Sequence, residues 1–347
     1  MSHRVQIAGS DVAFTCEPGQ SLLEAGLQAG VEMPYSCRKG VCGNCAGTVA
    51  QGAVQGCAGV RVDNEYCAPG QVLFCRCTPT CDVVLAPTSW RRVAPGACRQ
   101  LTVKVYRHQR VADDVSVLQL RLPAGQRVKF RAGQYLEVLL DDGSRRSYSM
   151  ANAPHENDAV TLHIRHIEGG RFSARVPQLQ PGDPLRIELP LGSFSLREDS
   201  GRALVFVAGG TGFAPIKSML DDMVKRGIRR PVTLFWGARD ASGLYLLPAV
   251  ERWQRALPGF RFVRALSGAA HDQPGDVFRG RLDAAVLAAC PTLVDHALYC
   301  CGSPAMVAAV REACIAQRGL AASDFHSDAF VSSGTTEMQP THASRSA

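Results

Sequence analysis

Three thiols crowd into Cys37-Arg38-Lys39-Gly40-Val41-Cys42-Gly43-Asn44-Cys45, a C-x4-C-x2-C run with glycines between the sulfurs. One tight loop giving three thiolates, joined by a fourth from downstream, suits a two-iron, two-sulfide cluster. The glycines permit unusual backbone angles and let amide N–H groups reach the sulfurs, where hydrogen bonds tune a reduction potential. Cys57, Cys67, Cys75, Cys77 and Cys81 are the candidates for the fourth ligand. Cys75 closes the apolar run Val72-Leu73-Phe74 and is preferred; Cys77 points the same way on an extended strand and is the runner-up. The expected metal set is Cys37, Cys42, Cys45 and Cys75. A structural zinc site is the alternative, opposed by the x4 gap, the loop glycines and the lack of a second matching C-x2-C pair.

Further on, several stretches suit phosphates and rings. Arg146-Ser147-Tyr148-Ser149-Met150-Ala151-Asn152 alternates a cation, an aromatic ring and hydroxyls. On a strand, Arg146 and Tyr148 face one way and Ser147 and Ser149 the other; taken alone, a plain surface strand reads the same. Gly169-Gly170-Arg171-Phe172-Ser173 is expected to precede a short helix, whose N-terminus would suit a pyrophosphate; an ordinary turn is the alternative. Gly209-Gly210-Thr211-Gly212-Phe213-Ala214-Pro215 lies between a buried strand and a helix. It lacks the G-x-G-x-x-G spacing, yet its N–H groups can cradle a dinucleotide pyrophosphate; a structural turn is the competing reading. Cys300-Cys301-Gly302-Ser303-Pro304 ends the last buried strand, and open α/β sheets bind ligands at such ends. Cys301 and Gly302 therefore stand where a nicotinamide would lie, unless the thiol is core filler, as is expected of Cys16, Cys98, Cys290 and Cys314.

The elements that must position these residues fall into three patterns. A hairpin over 3–8 and 12–16, a short helix over 21–30 with Ser21 and Glu24 at capping-box spacing, and strands at 48–50 and 83–85 surround the cysteine loop. This order is that of a β-grasp ferredoxin over residues 1–90. Residues 91–98 read as a linker. Short alternating strands at 101–107, 115–122, 135–140, 159–166 and 185–189 argue for an antiparallel β-barrel or sandwich over 99–199, with the barrel preferred. From 200 to 330, apolar runs at 203–208, 232–236, 260–265 and 297–300 alternate with helical patterns such as 216–226, predicting a doubly wound α/β domain. The small, polar tail over 331–347 is expected to be disordered.

Bulk properties narrow the class. The 347 residues suggest two or three domains. No apolar run approaches the roughly 18 residues that span a bilayer, and the N-terminus shows no secretory pattern, so a cytoplasmic, membrane-free protein is expected. Fourteen cysteines in such a chain point to metal and redox chemistry rather than disulfides. Net charge is +7, but residues 1–90 hold five Lys/Arg against seven Asp/Glu, so the excess lies further on. With no clustered basic helix and no aromatic platform, no nucleic acid is expected; scattered arginines suit phosphate-bearing nucleotides.

Taken in order, these motifs resemble the flavin-dependent NAD(P)H reductases related to ferredoxin–NADP reductase, here fused to an N-terminal plant-type ferredoxin. The resemblance runs from Val5 to about Phe330 and is carried by 34–40, 146–152, 208–217 and 296–304. It implies a reductase component of an aromatic-ring-hydroxylating dioxygenase. Electrons would pass from NADH or NADPH to FAD, then singly through the [2Fe–2S] cluster to a terminal Rieske-type oxygenase. A deoxysugar dehydrase reductase and a non-turnover redox sensor are the alternatives, and a monomer is expected. It also implies that Arg146 meets the flavin phosphates, Tyr148 packs on the isoalloxazine and Ser149 lies near its N5. Asn152, in the same run, joins this cofactor-binding set. Gly170 and Ser173 would hold the FAD pyrophosphate, Gly210, Thr211 and Gly212 the nicotinamide dinucleotide, and Cys301, Gly302 and Phe330 the region between the two rings. Ser149 and Cys301 would tune and position, neither acting as nucleophile. Arg239 is a candidate for a 2′-phosphate, which leaves the choice between NADH and NADPH open.

Overall fold

In a computed structural model the described residues are 1–57, 62–63, 67–94, 97–198, 200–268 and 277–331. The expected disorder of the tail falls, from 332 onward, outside them.

Alternating burial along His3–Ile7 and Ala13–Cys16 sets the N-terminal hairpin in register, with Val5 opposite Phe14. Ser21 Oγ accepts from the Glu24 amide at 3.2 Å and starts the helix Leu22–Gln28, which lays Leu22, Leu23 and Ala25 on the core. The sheet beneath runs in the order Ala13–Cys16, His3–Ile7, Val83–Pro87, Ala46–Gln51, Gln71–Leu73. The stretch read as a linker is tied down at its start. Arg91–Arg92 pairs with Val31–Glu32, the Val93 amide donates to Gly30 O at 2.7 Å, and Arg91 grips Glu32 with two hydrogen bonds at 2.7 and 2.8 Å.

The second sheet is a six-stranded antiparallel barrel in the order Arg145–Ser149, Tyr135–Leu139, Pro184–Leu191, Arg99–Ala112, Val115–Arg121, Ala159–Arg165. A bridge between Met150 and Leu162 joins its two ends. Its core is aliphatic, with Leu118, Leu120, Leu136, Leu162 and Ile187 fully buried.

In the third sheet all strands are parallel, in the order Val277–Arg279, Arg261–Leu266, Val232–Ala238, Ala203–Gly209, His296–Gly302, Phe325–Ala329. Leu204, Phe206 and Ala208 face one core with the helix Phe213–Arg226, while Val205 and Val207 face another with the helices Leu282–Ala289 and Pro304–Arg318. A strand covered on both faces explains the unbroken apolar run. Strand order reverses between Ala203–Gly209 and His296–Gly302, and ligand crevices form at such a switch point. The edge strands Val277–Arg279 and Phe325–Ala329 are too short or too mixed in polarity to be read from sequence. Among the described residues no helix is long and apolar enough to cross a membrane.

His163 shows how tightly barrel and α/β unit pack. Its ring stacks on Phe213 at 6.3 Å, Nδ1 lies 3.2 Å from the Tyr245 hydroxyl, and Nε2 is buried with no partner among the described residues. Burial, helped by the Lys217 charge, pushes its pKa from 6.5 down to about 3. The unfolded chain therefore binds the extra proton between those values, and stability falls as pH drops through that window, by at most about 1.4 kcal/mol per pH unit. The thermal midpoint of the full chain is expected to fall between pH 7 and pH 5, and to fall less in His163→Gln. Equal slopes in the two proteins would assign the acid sensitivity elsewhere.

Candidate electron-transfer site

The cysteine loop gathers its thiols in pairs. Cys37 and Cys42 share a hydrogen bond, as do Cys45 and Cys75. The Cys42 thiol donates to Cys37 and draws its pKa below the ordinary thiol value. The backbone amides of Lys39 and Cys42, each 3.4 Å from Cys37 Sγ, and of Val41 add to this against the effect of burial. Cys75 is drawn down by the Cys45 thiol and by the Gly40 amide. Gly40 turns with φ +76°, and a Cβ there would lie 2.7 Å from the Arg76 side chain, so the loop is roofed as well as bent. Cys77 sits elsewhere: it is fully buried and donates to Leu73 O at 2.9 Å. Among the described residues no three Cys, His, Asp or Glu side chains converge as a single ion requires. Two pairs match a two-iron centre, which takes two thiolates per iron.

The loop opens onto a cleft of ≈ 2290 Å³ that all three units help to line. Cys37 reaches it from the first unit; Arg146, Tyr148, Ser149, Gly170 and Ser173 from the barrel; Gly210, Thr211, Gly302 and Phe330 from the α/β unit. Arg145 is taken up by Glu137 and Glu188, whereas Arg146 donates only to Arg145 O at 2.7 Å and, among the described residues, meets no carboxylate. Tyr148 packs on Phe172 at 5.6 Å, and burial raises its hydroxyl pKa. At the switch point, Trp236 Nε1 donates to Gly210 O at 3.0 Å and fixes the turn that opens the Phe213–Arg226 helix. The Phe330 amide donates to Gly302 O at 2.7 Å, which pins the last described strand end at the cleft.

Hydrogen bonds close the seam around the loop. Tyr35 exchanges backbone and side-chain bonds with Ser193 at 2.7–3.1 Å, and its hydroxyl accepts from the Gly192 amide at 2.8 Å. Tyr135 OH donates to Ser36 O at 3.1 Å, and Asn44 Nδ2 to Ser327 O at 2.6 Å. Asp328 lies at the meeting point. Ser36 Oγ donates to Asp328 Oδ1, and Ser149 Oγ donates to Oδ2 at 3.3 Å. Burial pushes the Asp328 carboxyl up to about 6 against the pull of both hydroxyls.

Three domain families match this chain: the 2Fe-2S iron-sulfur cluster binding domain at 5–80, the oxidoreductase FAD-binding domain at 102–196, and the oxidoreductase NAD-binding domain at 206–312. The chain is 53% identical over 96% of its length to the terephthalate 1,2-dioxygenase reductase component 2 of Comamonas sp, covering 99% of that protein. It is 35% identical, over 96% of its length and all of the relative, to a CDP-6-deoxy-L-threo-D-glycero-4-hexulose-3-dehydrase reductase of Yersinia pseudotuberculosis. Among solved structures, an Amycolatopsis cytochrome P450 reductase superposes with a TM-score of 0.78 at 33% identity, covering 94% of this chain and 98% of that one. The chain belongs to this family of flavin- and iron–sulfur-dependent reductases. Its cofactors are FAD, a nicotinamide dinucleotide and a [2Fe–2S] cluster, carried in that family order barrel, α/β unit and N-terminal β-grasp unit.

The residues present suit these groups: paired thiols with amide donors for the cluster, an open guanidinium beside a ring for a phosphate-bearing flavin, and a glycine-lined switch point for the dinucleotide. Several residues expected at the site stand back from it. Asn152 spends its amide on Glu156 O, Ala159 O and the Thr161 amide, so it holds a barrel loop instead of facing the cleft. Cys301 is fully buried, and Gly212 packs beneath it: a Cβ on Gly212 would lie 2.1 Å from Cys301 O. No α-helix follows Ser173; with prolines at 177 and 181 only the single 3-10 turn Val176–Gln178 forms, so helix-terminal phosphate binding does not apply there. Cys98, expected as core filler, is exposed with Sγ 3.5 Å from Glu188. Local sequence gives no role to Asp328, Ser36, Tyr35 or Trp236. Asp328 follows Ser323, Asp324, His326 and Ser327, so nothing nearby marks it out from its polar neighbours.

Cys75→Ser is expected to remove or destabilise the cluster while leaving flavin-driven dye reduction near its original rate. Cys77→Ser should keep the cluster spectrum and lower the unfolding temperature, because a fully buried thiol loses its packing. Visible circular dichroism and iron content distinguish the two; a cluster that survives Cys75→Ser would make Cys77 the ligand.

Proposed function

We propose that this chain is the reductase component of an aromatic-ring-hydroxylating dioxygenase acting on terephthalate or a related aromatic carboxylate. It would be a cytoplasmic monomer serving a Rieske-type terminal oxygenase. The observation that carries this is the single cleft on which the cysteine loop, the Arg146–Ser149 strand end and the Gly210/Gly302 switch point all open. The 53% identity to a terephthalate 1,2-dioxygenase reductase component supports the choice of acceptor.

When bound, FAD accepts a hydride from NAD(P)H and the [2Fe–2S] cluster passes electrons on one at a time, so a two-electron donor can feed a one-electron acceptor. The chain's part is to bind, orient and exclude water. Cys37, Cys42, Cys45 and Cys75 would hold the cluster. The Arg146 guanidinium, which meets no carboxylate among the described residues, would meet flavin phosphate, with Gly170 and Ser173 in the adjoining turn, and Tyr148 would support the flavin ring on its Phe172 backing. Gly210 and Thr211 would receive the dinucleotide phosphates, and Gly302 and Phe330 would border the space between the two rings. Ser149, buried and already donating to Asp328, would hold its hydroxyl at the flavin's reacting edge.

Ser149→Ala is expected to slow flavin reduction by NAD(P)H at least about ten-fold with FAD still bound, since it removes one positioned hydroxyl. An unchanged stopped-flow rate would end that role. The decisive assay supplies the purified protein with NAD(P)H and, in separate arms, with the oxygenase component of a terephthalate dioxygenase plus terephthalate and O2, or with a deoxysugar dehydrase and its substrate. Hydroxylated product with the first supports the proposal. Turnover only with the second reassigns the acceptor, and no NAD(P)H oxidation even with ferricyanide makes the chain a sensor.

A further inference from the structure

A carboxyl buried at the junction of three units needs an explanation. Both oxygens of Asp328 are occupied, each by a hydroxyl from a different unit: Ser36, one residue before the loop cysteine Cys37, and Ser149 at the end of the barrel strand. Asp328 itself sits on the Phe325–Ala329 strand of the α/β unit. Among the described residues no Lys, Arg or His forms an ion pair with it, although it is only 5% exposed. An uncompensated buried carboxyl is costly, and a seam needed only for adhesion would be served better by an apolar side chain or a neutral amide. Its neighbour Ser327 takes the other end of the same loop, accepting from Asn44 Nδ2 at 2.6 Å and donating its hydroxyl to Asn44 Oδ1 at 3.3 Å. The dipeptide Ser327-Asp328 thus fastens the cysteine loop at both ends.

We propose that Asp328 is a positioning residue for internal electron transfer: by binding Ser36 and Ser149 at once, it fixes the cluster loop in register with the flavin site. This rests on the reductase reading above. The step concerned moves one electron from reduced flavin to the cluster, one ferric iron becoming ferrous, with no covalent bond made or broken. Hydride entry into the flavin does not need the Ser36 bond, so the two steps separate experimentally.

Losing a hydrogen bond to a charged group shifts a docked population by about ten-fold or more. In the holoenzyme, Ser36→Ala is therefore expected to leave NAD(P)H-driven ferricyanide reduction within about two-fold of wild type, and to slow appearance of the reduced-cluster signal in rapid-freeze electron paramagnetic resonance by about ten-fold. Ser36→Thr, which keeps the hydroxyl, should restore the rate. The signal's shape at full reduction should match wild type in each variant, showing an intact cluster. Asp328→Leu, which severs both bonds, should slow cluster reduction at least as much. Independently of turnover, hydrogen exchange in peptides spanning 34–46 and 325–331 should rise in Ser36→Ala. Transfer within two-fold of wild type in both Ser36→Ala and Asp328→Leu would overturn the proposal and leave the reductase reading intact. A wild-type cluster that NAD(P)H never reduces would overturn both.

Discussion

Electron transfer through protein demands that separate redox groups be held near one another, and in this chain the demand falls on the few residues that precede and end the cysteine loop. Tyr35 is the main fastening. Its backbone N–H and C=O pair with Ser193 and its hydroxyl receives the Gly192 amide, so a turn of the barrel is treated almost as another strand of the N-terminal unit. Tyr135 and Leu191, barrel residues by sequence, are buried within the N-terminal unit's core. The cleft exists because this seam places its walls.

The seam holds polar groups bonded across it, although Arg131 Nε is buried there with no partner among the described residues. Glu32, nearly buried, takes Arg91 from the connecting segment and Arg131 from the barrel, so one carboxylate ties both to the N-terminal unit. Hydrogen-bonded seams of this kind specify one relative orientation, where an oily interface would tolerate several. A positioned cluster needs that property more than it needs raw adhesion. The aromatic block behind the switch point serves the same end: Phe213 lies flat on Trp236 at 3.7 Å, and Trp236 in turn holds the Gly210 turn.

Much of this was legible in the sequence because its signals are local. Cysteine spacing, an unbroken apolar strand followed by glycines, and short alternating strands each report on neighbours a few residues away, and they gave three units in the right order. What stayed hidden depends on distant partners. Ser36 and Asp328 are 292 positions apart and meet only through the packing of whole units. Cys75 and Cys77 would point the same way on one extended strand, but the chain turns at 74–76, which sets Cys75 against Cys45 and leaves Cys77 buried against Leu73 O. Asn152 follows a nucleotide-like run, yet its amide is consumed by a loop that no motif announces. The expected helix after Ser173 failed for a local reason, two prolines four residues apart, that outweighed the glycine pattern.

The glycine pinch at the switch point bears on any attempt to redesign coenzyme preference. A Cβ on Gly209 would lie 2.5 Å from Met306 Sδ, one on Gly302 would lie 3.3 Å from the Gly209 backbone, and one on Gly212 would lie 2.1 Å from Cys301 O. Backbone blocks any side chain at Gly212, and at Gly209 and Gly302 the Met306 side chain would have to move first. A library aimed at selectivity has its freedom on the rim formed by Arg239, Asp240 and Ser242, whose side chains border the same cleft without supporting the sheet.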